Sequence, residues 1–220
     1  MINDVLETVH ELLSTYTSLH ITGETDECVD LLGVINVHRM VDQFVLNKNY
    51  EIQVCIPKQK GQLPYVIDVG KAIDTNYPHL YKSGKLCLAT DIDMQLSFCK
   101  DPSLVKWMRN YVETYFVSYE YYERYGVLPM GERPHGSSGI VQSYMEVFGV
   151  GKTQAALIIR FLSNKAYSGN QPCPCGSGIR MRKCHGKGLL KFYNNPILQE
   201  QARTDWKMIV QEEFQNEFAQ

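Results

Sequence analysis

Four residues near the end of the chain combine soft metal ligands at short spacing. In "CPCGSGIRMRKCHG" (173–186), Cys173, Cys175, Cys184 and His185 supply three thiols and one imidazole. That is a complete tetrahedral donor set for zinc, and four protein ligands leave no open position for water or substrate. The spacing therefore predicts a structural zinc. Gly176 and Gly178 permit the tight turn that wraps a Cys-x-Cys pair around one ion. Zinc with three thiolates and a neutral imidazole carries a net charge of −1. Arg180, Arg182 and Lys183 lie inside the loop and offset it.

A second chemistry is suggested by "YPHLYKSGKLCLAT" (77–90), where Cys87 follows His79 by eight residues. A thiolate is a strong nucleophile, and its acyl thioester is activated for transfer. His79 offers a hydrogen-bond donor to a developing oxyanion, or a general base. Lys82 and Lys85 would favour the thiolate form, and Asp91 and Asp93 could orient or deprotonate an incoming amine. A cysteine between Leu86 and Leu88 can also pack as a small hydrophobe, and His79 can serve only to cap a turn. Cys99 is the second candidate nucleophile. Cys55 reads as packing or surface on a strand, and Cys28 falls in a polar loop.

Composition narrows the classes. The chain has 220 residues, 44% hydrophobic and 21% charged, which suits a globular protein with a real core. The net charge of −2 provides no global attraction to nucleic acid or an anionic membrane. No apolar run approaches the roughly 20 residues of a membrane span. "MINDVLETVHELL" lacks the basic start of a signal peptide, so the expected location is the cytoplasm. Seven unevenly spread cysteines argue against a disulfide framework.

These residues must be positioned by recognisable elements. Val5, Leu6, Val9, Leu12, Leu13 and Tyr16 predict a helix over 3–17. Residues 20–30 read as loop. "LLGVINVH" (31–38), "NYEIQVCIP" (49–57) and "PYVIDVG" (64–70) predict three strands joined as an antiparallel meander. Asp101-Pro102 predicts the start of a long helix over 103–124, bearing Leu104, Met108, Tyr111, Tyr115, Tyr119 and Tyr122. Helices near 140–148 and 152–164 follow, then a polar, turn-rich stretch through the cysteine cluster. The residues from Pro196 onward predict a final amphipathic helix. "GVGKT" (149–153) imitates half a phosphate-binding loop. Glu146 stands where that pattern needs glycine, and the residues before it are helical in pattern, so it reads as a turn.

Two family resemblances rest on these residues. The stretch 173–186 resembles the SEC-C zinc motif and keeps its four ligand positions. The order of elements over roughly 1–125 is similar to the fold of ubiquitin-conjugating enzymes. There a His-Pro-Asn turn precedes the catalytic cysteine, which stands in a "G-x-[IL]-C-L" context. "GKLCL" (84–88) matches that context and Pro78 matches the proline, while His79 replaces the asparagine. The departure puts ordinary lysine ligation in doubt and leaves the thiol chemistry. The combination resembles divergent bacterial relatives of CBASS antiphage operons.

The resemblances imply an α+β protein. A UBC-like catalytic domain would occupy 1–125, a helical extension 126–168, a zinc module 169–188 and a C-terminal helix 189–220. They imply that Cys87 forms a thioester with the C-terminus of a partner, a cGAS-like nucleotidyltransferase or a ubiquitin-like protein. His79 would be its catalytic companion, and Pro78, Asp91 and Asp93 would support it. Two alternatives stay open: a non-catalytic adaptor that binds the same partner, and a cysteine hydrolase. No orienting third residue is evident for the hydrolase.

Overall fold

The computed structural model describes residues 2–129, 131 and 133–218. The protein is α+β, and the chain divides into two compact units. One comprises Met1–Ala89 and Phe98–Glu132; the other comprises Thr90–Ser97 and Arg133–Gln220.

The first unit contains α1 (Ile2–Thr15), β1 (Leu19–Glu24), β2 (Cys28–Val41), β3 (Phe44–Pro57) and β4 (Tyr65–Asp68). The strands form one antiparallel sheet in the order β1-β2-β3-β4. Alternation drives it: Val29, Leu31, Ile35 and Val37 of β2 are buried, as are Tyr50, Ile52, Val54 and Ile56 of β3. The meander is longer than its apolar runs suggest. Residues 39–41 and 44–48 are paired strand, so the link shrinks to a two-residue turn at Asp42 and Gln43, and Phe44 packs edge-on against Tyr121 at 5.5 Å. Arg39 and Lys48 add ion pairs to Glu113 and Glu120. Residues 20–30 are not a loop either. They hold β1 and the start of β2, whose main chain supplies the partner that β1's weak pattern conceals.

A helical run covers this sheet: α3 (Leu104–Trp107), a π-helical turn over Met108–Val112, and α4 (Glu113–Tyr125). The N-cap is Ser103 rather than Asp101, its hydroxyl accepting from the Lys106 N–H at 3.3 Å; Asp101 pairs with the Lys106 side chain instead. Phe116 stacks on Tyr50 with ring centroids 3.9 Å apart. α2 (Asp91–Lys100) lies across the chain division between Ser97 and Phe98.

The second unit contains α5 (Gly136–Phe148), α6 (Lys152–Asn164), α7 (Gly186–Tyr193) and α8 (Pro196–Phe218). Tyr144, Phe148, Ile158, Phe192, Leu198 and Ala202 are central to its core, joined by Ile92 from α2 and by Cys173, Cys175 and Met181. Gly149 caps α5 in the left-handed conformation and Gly151 is the N-cap of α6, so "GVGKT" is a turn between helices. Among the described residues, no helix is long and apolar enough to cross a membrane.

One carboxylate is buried in that helical core. Asp205 accepts from the Tyr144 hydroxyl and the Gln201 amide, both at 2.8 Å. Burial raises its pKa from 3.8 to about 6, with Asp91 and Asp93 adding to the rise and the two hydrogen bonds opposing it. Between about pH 4 and 6 the folded chain therefore binds more protons at this group than the unfolded chain. Stability from Asp205 is greatest at the acid end and is lost as pH rises through about 6. Asp205→Asn should remove this component. The unfolding free-energy difference between wild type and Asp205→Asn should change by roughly 2 kcal/mol from pH 4 to 7. Parallel denaturation curves across that range would disprove the linkage.

Candidate functional site

The cysteine cluster is assembled by backbone pairing over a short stretch. Pro172 and Arg180 form an antiparallel bridge. The Cys173 N–H donates to Ile179 O at 2.8 Å, and the Met181 N–H to Gln171 O at 2.8 Å. Gly176 at φ +82° and Gly178 at φ +74° make the turn between them, in backbone conformations that a side chain would strain. The 3₁₀ turn Met181–Lys183 then delivers Cys184, and His185 follows as the N-cap of α7.

The four ligand atoms all lie within 4.8 Å of one another. His185 Nδ1 is 3.4 Å from Cys173 Sγ and 3.3 Å from Cys184 Sγ, and Cys175 Sγ is 3.7 Å from Cys184 Sγ. A tetrahedral ion bound about 2.3 Å from sulfur and about 2.0 Å from nitrogen gives edges of about 3.8 Å between sulfurs and about 3.5 Å between sulfur and nitrogen. The donor set and its spacing thus fit a metal ion held by Cys173, Cys175, Cys184 and His185. Residues 170–187 match the SEC-C motif. No curated protein and no solved structure matches the chain.

The SEC-C motif is embedded in apolar packing. Cys173 and Cys175 are buried with Phe148 and Phe192, and the His185 ring meets Phe148 edge-on at 6.1 Å. Ser177, which sequence reasoning passed over, is 3.3 Å from Cys175 Sγ and 3.5 Å from Cys184 Sγ. Burial works to raise Cys175, but hydrogen bonds from Ser177 and the other thiols outweigh it and hold the thiol down to about 6. Cys173, where burial prevails, is pushed up to about 11. The signal for Ser177 was its place two residues after a ligand, where a hydroxyl can orient thiolates.

The Cys87 segment lies in the first unit and is ordered almost wholly through its main chain. Asp68 Oδ2 accepts from the Ile73 N–H at 2.9 Å, which starts the irregular stretch. Pro78 and His79 are the centre of a turn closed by the Leu80 N–H donating to Tyr77 O at 3.0 Å. Tyr81 N–H donates to Lys85 O, and Gly84, at φ +80°, closes the intervening turn with its N–H on Tyr81 O. On one side the Leu86 N–H reaches Val66 O of β4 at 2.9 Å; on the other the Cys87 N–H reaches His79 O at 2.8 Å. Histidine and cysteine are therefore cross-strand neighbours.

That pairing brings a His79 ring nitrogen within 4.8 Å of Cys87 Sγ, both residues half-buried. The Tyr81 hydroxyl donates to the same sulfur at 3.7 Å. Behind them, Tyr115 Oη donates to His79 O at 3.1 Å, and Tyr77 packs against Tyr115, Tyr119 and Tyr122 of α4. Burial pushes Tyr77 up to about 12 and also raises Tyr115 and Tyr119. Tyr115 was legible only as part of its helix's apolar stripe and Tyr81 was not singled out, because their roles here depend on a hairpin and a helix that only folding juxtaposes.

The other proposed residues make contacts of their own. Lys85 places its ammonium 4.7 Å from the Tyr65 ring centroid. Asp91 and Asp93 stand in the first turn of α2, within the second unit. Asp93 accepts from Arg133 at 2.9 Å and from the Ser143 hydroxyl at 3.0 Å. Cys99 is exposed near the C-terminal end of α2.

Because two ligands belong to the helical core, removing the metal should affect more than the loop. Chelation or Cys175→Ser should increase hydrogen exchange in α7 and α8 and leave the β-sheet protected. A loss of only ~3 kcal/mol would lower the melting temperature of a unit of roughly 100 residues by more than about 10 °C. Unchanged exchange in α7 after both treatments would show that the cluster does not support the fold.

Proposed function

We propose that this protein is a ubiquitin-conjugating-like acyl carrier, with Cys87 as its nucleophile and His79 as its catalytic companion. The supporting observation is the hairpin that sets a His79 ring nitrogen within 4.8 Å of Cys87 Sγ, at the edge of a four-stranded antiparallel meander. The order α1, meander, irregular cysteine segment, helix agrees with this reading. The partner would be the C-terminus of a cGAS-like nucleotidyltransferase in bacterial antiphage defence, or a ubiquitin-like protein.

The chemistry follows from the side chains. The Cys87 thiolate attacks the carbonyl carbon of an acyl group already activated as a thioester on a donor protein. A new C–S bond forms and the donor's thiolate leaves. An acceptor amine then attacks the same carbon, the C–N bond forms, and Cys87 thiolate departs. His79 accepts the amine proton or donates to the oxyanion of the tetrahedral intermediate. The Tyr81 hydroxyl stabilises the departing thiolate by the hydrogen bond it already makes. The ion in the SEC-C motif would be zinc, since three thiolates and an imidazole in closed four-coordination suit it best. Elemental analysis of the native protein tests that identity.

Co-expression with the partner and non-reducing gels should show a thiol-sensitive adduct in wild type. Cys87→Ser should give a thiol-resistant ester, Cys87→Ala none, and Cys99→Ala the wild-type adduct. His79→Ala should form the thioester but discharge it about 100-fold more slowly, with partial recovery in His79→Asn. If Cys87→Ala binds the partner and supports activity in cells as well as wild type, the protein is an adaptor and Cys87 a packing thiol.

A further inference from the structure

A separate cluster of ligating side chains lies on the sheet of the first unit, far in sequence from both sites described above. Asp30 of β2 pairs directly with Cys55 of β3, and Cys55 pairs with Tyr65 of β4. Cys28 stands two residues before Asp30 and so points to the same face of the sheet. The opposite face carries Val29, Leu31, Val54 and Ile56, which are buried. One ligand atom from each of Cys28, Asp30 and Cys55 falls within 4.8 Å of the other two.

The cluster is held by neighbours that do not themselves ligate. The β1–β2 turn fixes Cys28: the Thr25 hydroxyl accepts from the Cys28 N–H at 3.1 Å and lies 3.6 Å from its sulfur. Asp30 divides its oxygens. Oδ2 lies 3.7 Å from Cys28 Sγ, while Oδ1 accepts from the Gln53 amide at 3.4 Å. Tyr65 stands directly across from Cys55 in the β3–β4 register. A thiolate sulfur and a carboxylate oxygen on adjacent vertices of a tetrahedral ion would be about 3.6 Å apart. The Cys28–Asp30 separation is already close to that edge.

We propose that Cys28, Cys55 and Asp30 form a second metal site, for a soft divalent cation of the zinc or cobalt class. Two thiolates select against magnesium and calcium, and the carboxylate completes three protein ligands. Three ligands leave a coordination position open, unlike the closed set of the SEC-C motif. The site therefore binds more weakly than the SEC-C motif, exchanges its ion, and admits water or a small anionic ligand. Gln53 orients the ligating carboxylate, the kind of supporting contact such a site requires. The ligands meet only through strand register, because Cys28 and Cys55 stand on different strands and pair with Pro57 and Asp30 respectively.

The test is cobalt(II) titration of the reduced full-length protein after metal removal, followed by the sulfur-to-cobalt charge-transfer band and the d–d absorption. Wild type should take up two equivalents in two resolved phases. Cys28→Ser should take up one, the tight phase, and Asp30→Asn should weaken the second phase at least about tenfold without altering the first. Circular dichroism of Cys28→Ser with its SEC-C motif loaded checks that the sheet is intact. One equivalent in both wild type and Cys28→Ser overturns the proposal. A reduced wild type that binds one equivalent, and on mild oxidation loses its Cys28 and Cys55 thiols together, also overturns it and makes the pair a redox couple instead.

Discussion

The main-chain ladder between β2 and β3 is the interaction on which the first unit depends. It runs from Cys28 opposite Pro57 to Val41 opposite Phe44, without a break in register. Its apolar face, Val29 to Val37 against Tyr50 to Ile56, packs under α4. A one-residue slip would turn that whole face to solvent, so burial fixes the register. The outer face inherits the same register, which is why Asp30 stands opposite Cys55. β4 adds to the free edge of β3, and the segment 84–86 adds in turn to β4 through Leu86 and Val66. The position of Cys87 is thus the end of a chain of backbone pairings that begins with an apolar stripe.

The second unit reaches a comparable end by different means. Its helices pack through Tyr144, Phe148, Phe192 and Ala202, and two of the cysteine ligands are members of that packing. A metal ion there would cross-link a short loop to a helical core, so its binding energy would be shared with the helices. The same core keeps Asp205 buried on two hydrogen bonds, which costs stability at neutral pH and makes sense only as the partner of the buried Tyr144 hydroxyl.

Backbone hydrogen bonds and aromatic rings share the work around Cys87. The hairpin 79–87 places His79 and Tyr81 by main-chain contacts, which tolerate many side chains. The tyrosines of α4 then fill the space behind, and Tyr115 ties its hydroxyl to the His79 carbonyl. The tyrosine-rich stretch is for the most part a packing surface: Phe116 meets Tyr50, Tyr121 meets Phe44, and Tyr119 meets Tyr77.

The amino-acid sequence by itself determined the features that depend on neighbours along the chain. Cys173, Cys175, Cys184 and His185 were legible because their turn is local and glycine at 176 and 178 has few other reasons to recur. The helices 104–125, 136–148, 152–164 and 196–218 were legible to within a few residues from apolar spacing, since helical hydrogen bonds are local. The weak strand β1 and the outer halves of β2 and β3 were not. Their residues are polar or alternate poorly, and their partners are supplied by strands elsewhere in the chain. Tertiary structure alone decided that Tyr81 reaches Cys87 and that Cys28, Asp30 and Cys55 converge. Each of those contacts joins residues whose proximity is set by register or turn geometry. No side chain in the sequence announces a register; it is fixed by which face of the folded sheet can be buried.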